Sequence, residues 1–392
     1  MSSQLKGKHV VVIGAGVIGL QTAITLLEAG AAVTIVAKHV PGDKSIDYTS
    51  PWAGAQWRTH ALNEDKEIQQ WDIESYNVWL DWVGKEKSQA AFATKSGLEH
   101  MSNPVSPIIH PTANLAFSFL EYSRTAPDSE IASGPRSAWW APFMRNFKEI
   151  EPSSLPAGVH AGATYDAVTI DTGVYLPFLL SRARSLGAVL IEAALPTTAG
   201  LPGALSTATR LLPAYGINTP VDAFVNASGI FARSLVPDPA VYPIRGQTVL
   251  VRGLPKALST CWRPDGLSYV IPRATSRTTV LGGTKEADDW RAEPDPQTTK
   301  DILERCKAFA PELLNEKGEF DVLSVNVGHR PGRRGGPRIE VEEVRVDGAG
   351  RAVPVCHEYG HAGAGYQNAF GSAKKALKLL EEHFERRGGA KL

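Results

Sequence analysis

The 392-residue sequence predicts an α/β protein in which a parallel-sheet domain is joined to a second domain built on antiparallel strands. Three observations predict it. An apolar run, Val10 to Ile13, leads through three glycines into a helix with a mostly apolar face and then a second apolar run, Val33 to Val36. A further strand running into a glycine turn recurs at Val221 to Gly229. Between that turn and the closing helical pattern, Val241 to Arg252, Tyr269 to Arg273 and Thr279 to Thr284 alternate with the period of antiparallel strands.

Gly14, Gly16 and Gly19 form G-x-G-x-x-G in its full context of strand, turn, helix and strand. The first glycine permits the tight turn, the second lets backbone approach a pyrophosphate, and the third lets the helix pack close to its strand. The helix begins at Val17 and Ile18, and its free N–H groups and positive dipole end suit that phosphate. This is a Rossmann-like dinucleotide site. Gln21 and Glu28 interrupt the run too early for a membrane span, and a cleaved signal would not need a fingerprint continuous with a second strand. The acidic residue that usually holds the ribose, about 20 residues past the glycines, is missing. Ala37 and Lys38 end the strand instead. FAD, held along more of its length, therefore fits better than NAD.

Composition narrows the class. Lys plus Arg equals Asp plus Glu at 41 each, so nothing points to nucleic acid or an anionic membrane as a partner. Cys261, Cys306 and Cys356 have no metal-ligand spacing and form no even-numbered disulfide set, so no metal site is expected. The chain ends Ala390-Lys391-Leu392, close to the Ser-Lys-Leu address read by the peroxisomal import receptor, and a peroxisomal matrix location is the expectation. Whether the chain forms a homo-oligomer is left open.

Taken in order, Asp47 to Ala55 is a turn-rich loop whose small residues allow close approach to a flat ring, and Asp65 to Trp82 reads as a helix. Residues 85–152 are irregular and rich in packing aromatics. A helix is expected from about Val174 to Leu186 and a strand at Val189 to Ile191, with a loop and short helix from Ala194 to Tyr215. Helical pattern returns at Thr298 to Phe309. Val325 to Gly332 is a strand entering a turn crowded with Arg330, Arg333, Arg334 and Arg338. The glycine-rich Tyr359 to Gln367 precedes a closing helix over Ala369 to Arg386 and can offer backbone donors to a cofactor.

These stretches, in this order, resemble the D-amino acid oxidase and D-aspartate oxidase family of flavoenzymes. VVVIGAGVIGL, YTSPWAGA, VNASG, GQTVLV, YVIPR with LGGT, VGHRPGRRGGPR and YGHAGAGYQ carry the resemblance across residues 10–367, most weakly between about 85 and 160. It implies an FAD-binding domain assembled from 1–60, 155–235 and 325–392. A substrate domain from 61–154 and 236–324, on a strongly twisted antiparallel sheet, would cover the flavin. It also implies FAD held noncovalently by Gly14, Gly16, Val17, Ile18, Gly19, Ala37, Lys38, Thr49, Ser50, Gly54, Ala55, Ser228, Gly229, Gly363, Ala364, Gly365, Tyr366 and Gln367. The implied reaction oxidises a D-amino acid by hydride transfer to the flavin, with oxygen as the second substrate and hydrogen peroxide, ammonia and a 2-oxo acid as products.

By the same resemblance Arg330 pins the substrate α-carboxylate, for which a guanidinium fork gives two parallel charge-assisted bonds. Tyr269 adds its hydroxyl to the same carboxylate. Hydride transfer needs no base at the α-carbon, so none is assigned. His361 and His329 are read as structural or as flavin contacts. Lys285 stands where microbial members often carry a second tyrosine, while Arg263 and His60 fall at spacings matched in the D-aspartate oxidases. With Arg58 they form a set suited to a second carboxylate, and D-aspartate, with D-glutamate, is the expected substrate. A broad oxidase of neutral D-amino acids is the alternative, and a flavin-binding protein without oxidase activity is a third reading. Unpaired cations would penalise a neutral substrate, and discrimination of this kind reaches ~10⁴ in efficiency.

Overall fold

The computed structural model describes residues 3–93, 109–111, 117–121, 138–151, 153, 161–263, 266–346 and 352–389. In chain order the elements are β1 (His9–Ile13), α1 (Val17–Glu28), β2 (Ala32–Ala37), α2 (Lys66–Ala93), β3 (Ile109–Pro111), β4 (Phe117–Glu121), β5 (Lys148–Glu149), β6 (Ala161–Tyr165), β7 (Val168–Ile170), α3 (Thr172–Ser185), β8 (Val189–Glu192), α4 (Gly200–Leu211) and β9 (Ala223–Asn226). They continue as α5 (Ala232–Leu235), β10 (Val241–Arg252), β11 (Ser259–Arg263), β12 (Gly266–Arg273), β13 (Thr278–Gly282), β14 (Glu286–Ala287), α6 (Pro296–Lys307), β15 (Val322–Arg333), β16 (Arg338–Arg345), β17 (Ala352–Tyr359) and α7 (Gly365–Gly389).

The first sheet runs β16-β17-β9-β1-β2-β8, parallel except at the β16 edge. Its centre, β1, is buried along its whole length, as expected for a strand covered on both faces. Val10 and Val12 enter the core formed with α1, α3 and α7, while Val11 and Ile13 enter the core under α4. Asp171 caps α3 by accepting from the Gly173 amide at 3.3 Å. The β16–β17 hairpin is absent from the expectation drawn on the sequence. Glu340, Glu342 and Glu343 make β16 read as polar, and it is its pairing with β17 that makes it a strand. Similarly, α4 spans twelve residues where only a short helix was expected, because Leu201, Leu205 and Ala208 bury against Val11 and Ile13.

Among the described residues the second sheet has nine strands. Eight run β14-β10-β13-β12-β11-β4-β6-β5, and β15 pairs with the other edge of β10. The β10–β15 pair extends from Val241 opposite Arg333 to Val251 opposite Val322. By this pairing β15 and β6 lie in the antiparallel sheet, although β6 and all of β15 from Val325 onward fall in segments the sequence grouped with the FAD-binding parts. Helix α6 covers the back of the sheet, with Ile302 and Cys306 among Val249, Val251, Val270 and Leu281. The front faces the parallel strands. Among the described residues no helix is long and apolar enough to cross a membrane. Residues 390–392, the expected import address, lie outside the described residues.

At the end of β17, Glu358 is buried against α1, and the Thr22 hydroxyl donates to it at 2.7 Å. Burial pushes its carboxyl up to about 7. The folded protein therefore keeps this proton while an unfolded chain loses it near pH 4.5, so stability falls as pH rises between those values. Glu358→Gln is expected to leave the melting temperature unchanged at pH 4.5 and raise it at pH 8. Thermal melts showing the same difference at both pH values would contradict this assignment.

Candidate active site

The C-terminal ends of β1, β2, β9 and β17 open on one cavity of about 680 Å³, whose far wall is the front of the second sheet. A crevice at the carboxyl ends of parallel strands is where such folds bind ligands. At its inner end, Gly14 adopts φ +108°, and a Cβ there would strike the Ala227 carbonyl. A Cβ on Gly16 would sit 3.0 Å from the Ser50 hydroxyl, which accepts from the Val17 amide at 3.0 Å. Gly19 does not line the cavity. Its Cα packs on the Gly14 carbonyl, so its role is to bring α1 close to β1. Lys38 lies past β2 with its ammonium 5.2 Å from the Phe231 ring centre.

The loop from Tyr48 to Ala55 forms one side of the cavity and is held from four directions. Tyr48 donates its hydroxyl to the Ala15 carbonyl at 2.7 Å, and Tyr366 donates to the Ser50 carbonyl at 2.9 Å. Thr49 bonds the His329 carbonyl. Arg273 donates to the Ala53 carbonyl at 2.7 Å and the Gly54 carbonyl at 3.0 Å. Neither Tyr48 nor Arg273 stood out in the sequence. Tyr48 opens YTSPWAGA and Arg273 closes YVIPR, yet nothing local assigns either a role, and the partners of Arg273 are some 220 residues away.

Arg330 and Tyr269 meet on the sheet front because glycines leave room for them. Arg330 stands opposite Ile244 in β15, and its guanidinium lies over Gly246, where a Cβ would occupy the same space. Tyr269 stands opposite Gly282, and its ring and hydroxyl cover Gly282 and Gly283 in the same way. Arg330 donates through Nη1 to the Thr284 carbonyl at 3.1 Å. Burial raises the Tyr269 phenol, opposed by Arg330, so it remains a neutral hydrogen-bond donor. A Cβ on Gly363 would lie 3.7 Å from both Arg330 Cδ and His60 Nε2, which places the 360–367 turn between the two.

Arg58, His60 and Lys285 line the same end of the cavity. His60 opens to the cavity yet is ringed by protein atoms. That burial, with Arg58, Lys285 and Arg330 around it, brings its pKa down to about 3. His60 is thus a neutral imidazole, and the positive charge here belongs to Arg58, Lys285 and Arg330. Burial and then Arg330 and Arg58 lower Lys285. Arg263 ends β11, and its side chain lies outside the described residues. His361 Nδ1 hydrogen-bonds Asn368 at 3.3 Å, and His329 is buried beside Trp290. Among the described residues no cluster of three or more His, Cys, Asp and Glu side chains suits a metal ion.

The family model described as DAO, FAD dependent oxidoreductase, matches residues 9–379. A D-amino-acid oxidase from Fusarium vanettenii is 31% identical over 382 residues, covering 95% of this chain and 96% of its own. The chain belongs to the DAO family of FAD-dependent oxidoreductases. Another relative, a D-amino-acid oxidase from Schizosaccharomyces pombe, is 30% identical over 97% of this chain and 98% of its own. Glycine oxidase from Geobacillus kaustophilus shares the fold at 16% identity, with a TM-score of 0.65 over 96% of this chain and 95% of its own.

FAD is the cofactor of this family, and the cavity fits it. Gly14 and Gly16 leave backbone bare at the start of α1, and the Ser228 hydroxyl is buried there with no hydrogen-bond partner among the described residues. Gly14 to Ile18, Ala37, Lys38, Ser228 and Gly229 would hold the nucleotide part. Thr49 to Ala55 and Gly363 to Gln367 would hold the ring, since both loops reach the sheet front. Either Gly246→Ala or Gly282→Ala should keep FAD yet lower kcat/KM by about 10²-fold, the cost of displacing a positioning group by an ångström. A FAD-loaded variant with wild-type kcat/KM would show that Arg330 or Tyr269 does not need this site.

Proposed function

We propose that this protein oxidises acidic D-amino acids, D-aspartate and D-glutamate, to the 2-oxo acid, ammonia and hydrogen peroxide. The observation that carries the reading is that two further cations, Arg58 and Lys285, face the cavity beside Arg330 and the neutral His60. FAD, when bound, would supply the redox chemistry, with the substrate's α-hydrogen leaving as hydride and oxygen as the final electron acceptor. Arg330 grips the α-carboxylate in two parallel bonds, and neutral Tyr269 adds a third. Arg58 and Lys285 meet the side-chain carboxylate, to which His60 contributes a hydrogen bond rather than a charge. A neutral side chain would leave the Lys285 ammonium facing apolar atoms. That penalty discriminates by an unmet partner rather than by fit.

The relatives favour a second reading, since both are named D-amino-acid oxidases without reference to an acidic side chain. Anaerobic flavin reduction by D-aspartate, L-aspartate and D-alanine in parallel decides between them. The acidic reading expects D-aspartate to reduce the flavin at far lower concentration than D-alanine, and L-aspartate not to reduce it. Equal reduction by D-alanine would leave the general oxidase.

A pH dependence follows from Lys285. Its pKa lies below the usual lysine value, and the substrate carboxylate needs its charged form. KM for D-aspartate should therefore rise as pH climbs through that pKa, while KM for D-alanine stays flat over the same range. In Lys285→Met the D-aspartate profile should flatten and the preference between the two substrates narrow. Parallel profiles for both substrates in the wild type would remove Lys285 from the pocket.

A further inference from the structure

The strand that shows Gly246 to the cavity turns Arg245 and Gln247 to the opposite face, toward α6 and the segment joining β13 to it. Arg245 is fully buried. Its Nη1 donates to Glu286 at 2.6 Å and its Nε to the Arg291 carbonyl at 2.9 Å. Nη2 serves the Glu293 carbonyl at 2.7 Å and Gln247 Oε1 at 3.1 Å. Gln247 in turn donates to the Asp295 carbonyl and to Thr299, both at 2.8 Å, and accepts from the Asp295 amide at 2.8 Å. Burying a guanidinium is costly unless its donors are met, and here they are met chiefly by one segment, residues 286–293.

That segment begins at the site. The Thr284 hydroxyl accepts from the Gln247 amide at 2.9 Å and donates to Glu286 at 3.2 Å. Its carbonyl accepts from Arg330 Nη1 at 3.1 Å, and the next residue is Lys285. A continuous set of hydrogen bonds thus runs from the buried Arg245 through Glu286 and Thr284 to the guanidinium of Arg330.

We propose that Arg245 is a positioning residue, acting from the back of the sheet through residues 284–286 to fix Arg330 and Lys285 for substrate binding. A lysine at 245 keeps the charge but cannot serve Glu286 and two carbonyls from one plane. The loop would then settle differently, the Thr284 carbonyl would move, and Arg330 would lose the partner that sets its plane. The inference rests on the reading of Arg330 as the carboxylate anchor.

The test compares Arg245→Lys with wild type as FAD-loaded enzyme, with rates expressed per bound flavin. KM for both D-aspartate and D-alanine should rise about tenfold, more for D-aspartate because Lys285 also shifts, with kcat within about twofold. The Kd of a 2-oxo acid, which carries the carboxylate but no oxidisable C–H at that carbon, should rise in step when read from the flavin spectrum. A lower melting temperature with KM and Kd unchanged would overturn the proposal and leave Arg245 as a fastening of the loop alone. If Arg245→Lys does not load FAD, Glu286→Gln carries the same expected and overturning results. Arg330→Met in parallel separates two failures. If it leaves KM untouched, the carboxylate reading falls; if it raises KM while Arg245→Lys does not, only the positioning role falls.

Discussion

The long antiparallel pairing of β10 with β15 is the constraint on which the site depends. It fixes Arg330 against one particular backbone position, and that position is Gly246. A side chain there would push the guanidinium away from the cavity, because sheet register leaves the arginine no other row to occupy. Tyr269 repeats the arrangement one strand pair away, over Gly282 and Gly283. The polar groups proposed to meet substrate are therefore placed by the absence of side chains on neighbouring strands. Strands are stiffer supports than loops, and a hydride donor must be held to within a fraction of an ångström.

The opposite wall is made of loops, and they are stiff for a different reason. Tyr48, Thr49, Arg273 and Tyr366 each tie the 48–55 loop to a separate element, so its backbone presents the cofactor with a fixed edge. Several of these bonds join the parallel sheet's segments to the antiparallel sheet's. The cavity is consequently a seam closed by hydrogen bonds that cross it.

How much of this was legible in the sequence divides by range. The G-x-G-x-x-G turn, the paired strands around it and the alternating strands of the second sheet were legible because each expresses a local backbone requirement or a short period. Arg330, Tyr269, Arg58, His60 and Lys285 could be named from family resemblance, and they do line one cavity. What could not be read depends on distant partners. The polar β16 becomes a strand only beside β17, and Arg273 gains meaning only from carbonyls at 53 and 54. Arg245 is set apart from the other strand arginines only by the burial of its whole side chain.

His60 illustrates why residue type alone misjudges such a pocket. A histidine among cations reads as another positive charge, yet burial and the three cations beside it favour the neutral ring. In the proposed reading the charge that would meet a second carboxylate is then smaller and more sharply placed, on Arg58 and Lys285. Burial, and then Arg330 and Arg58, hold Lys285 below its usual pKa, so an anion beside it would favour its charged form. In the proposed reading a dicarboxylate would supply that anion, whereas a neutral side chain would not. Under the proposed acidic specificity, selectivity of this kind would require that Arg330, Arg58 and Lys285 be held close together by a rigid frame.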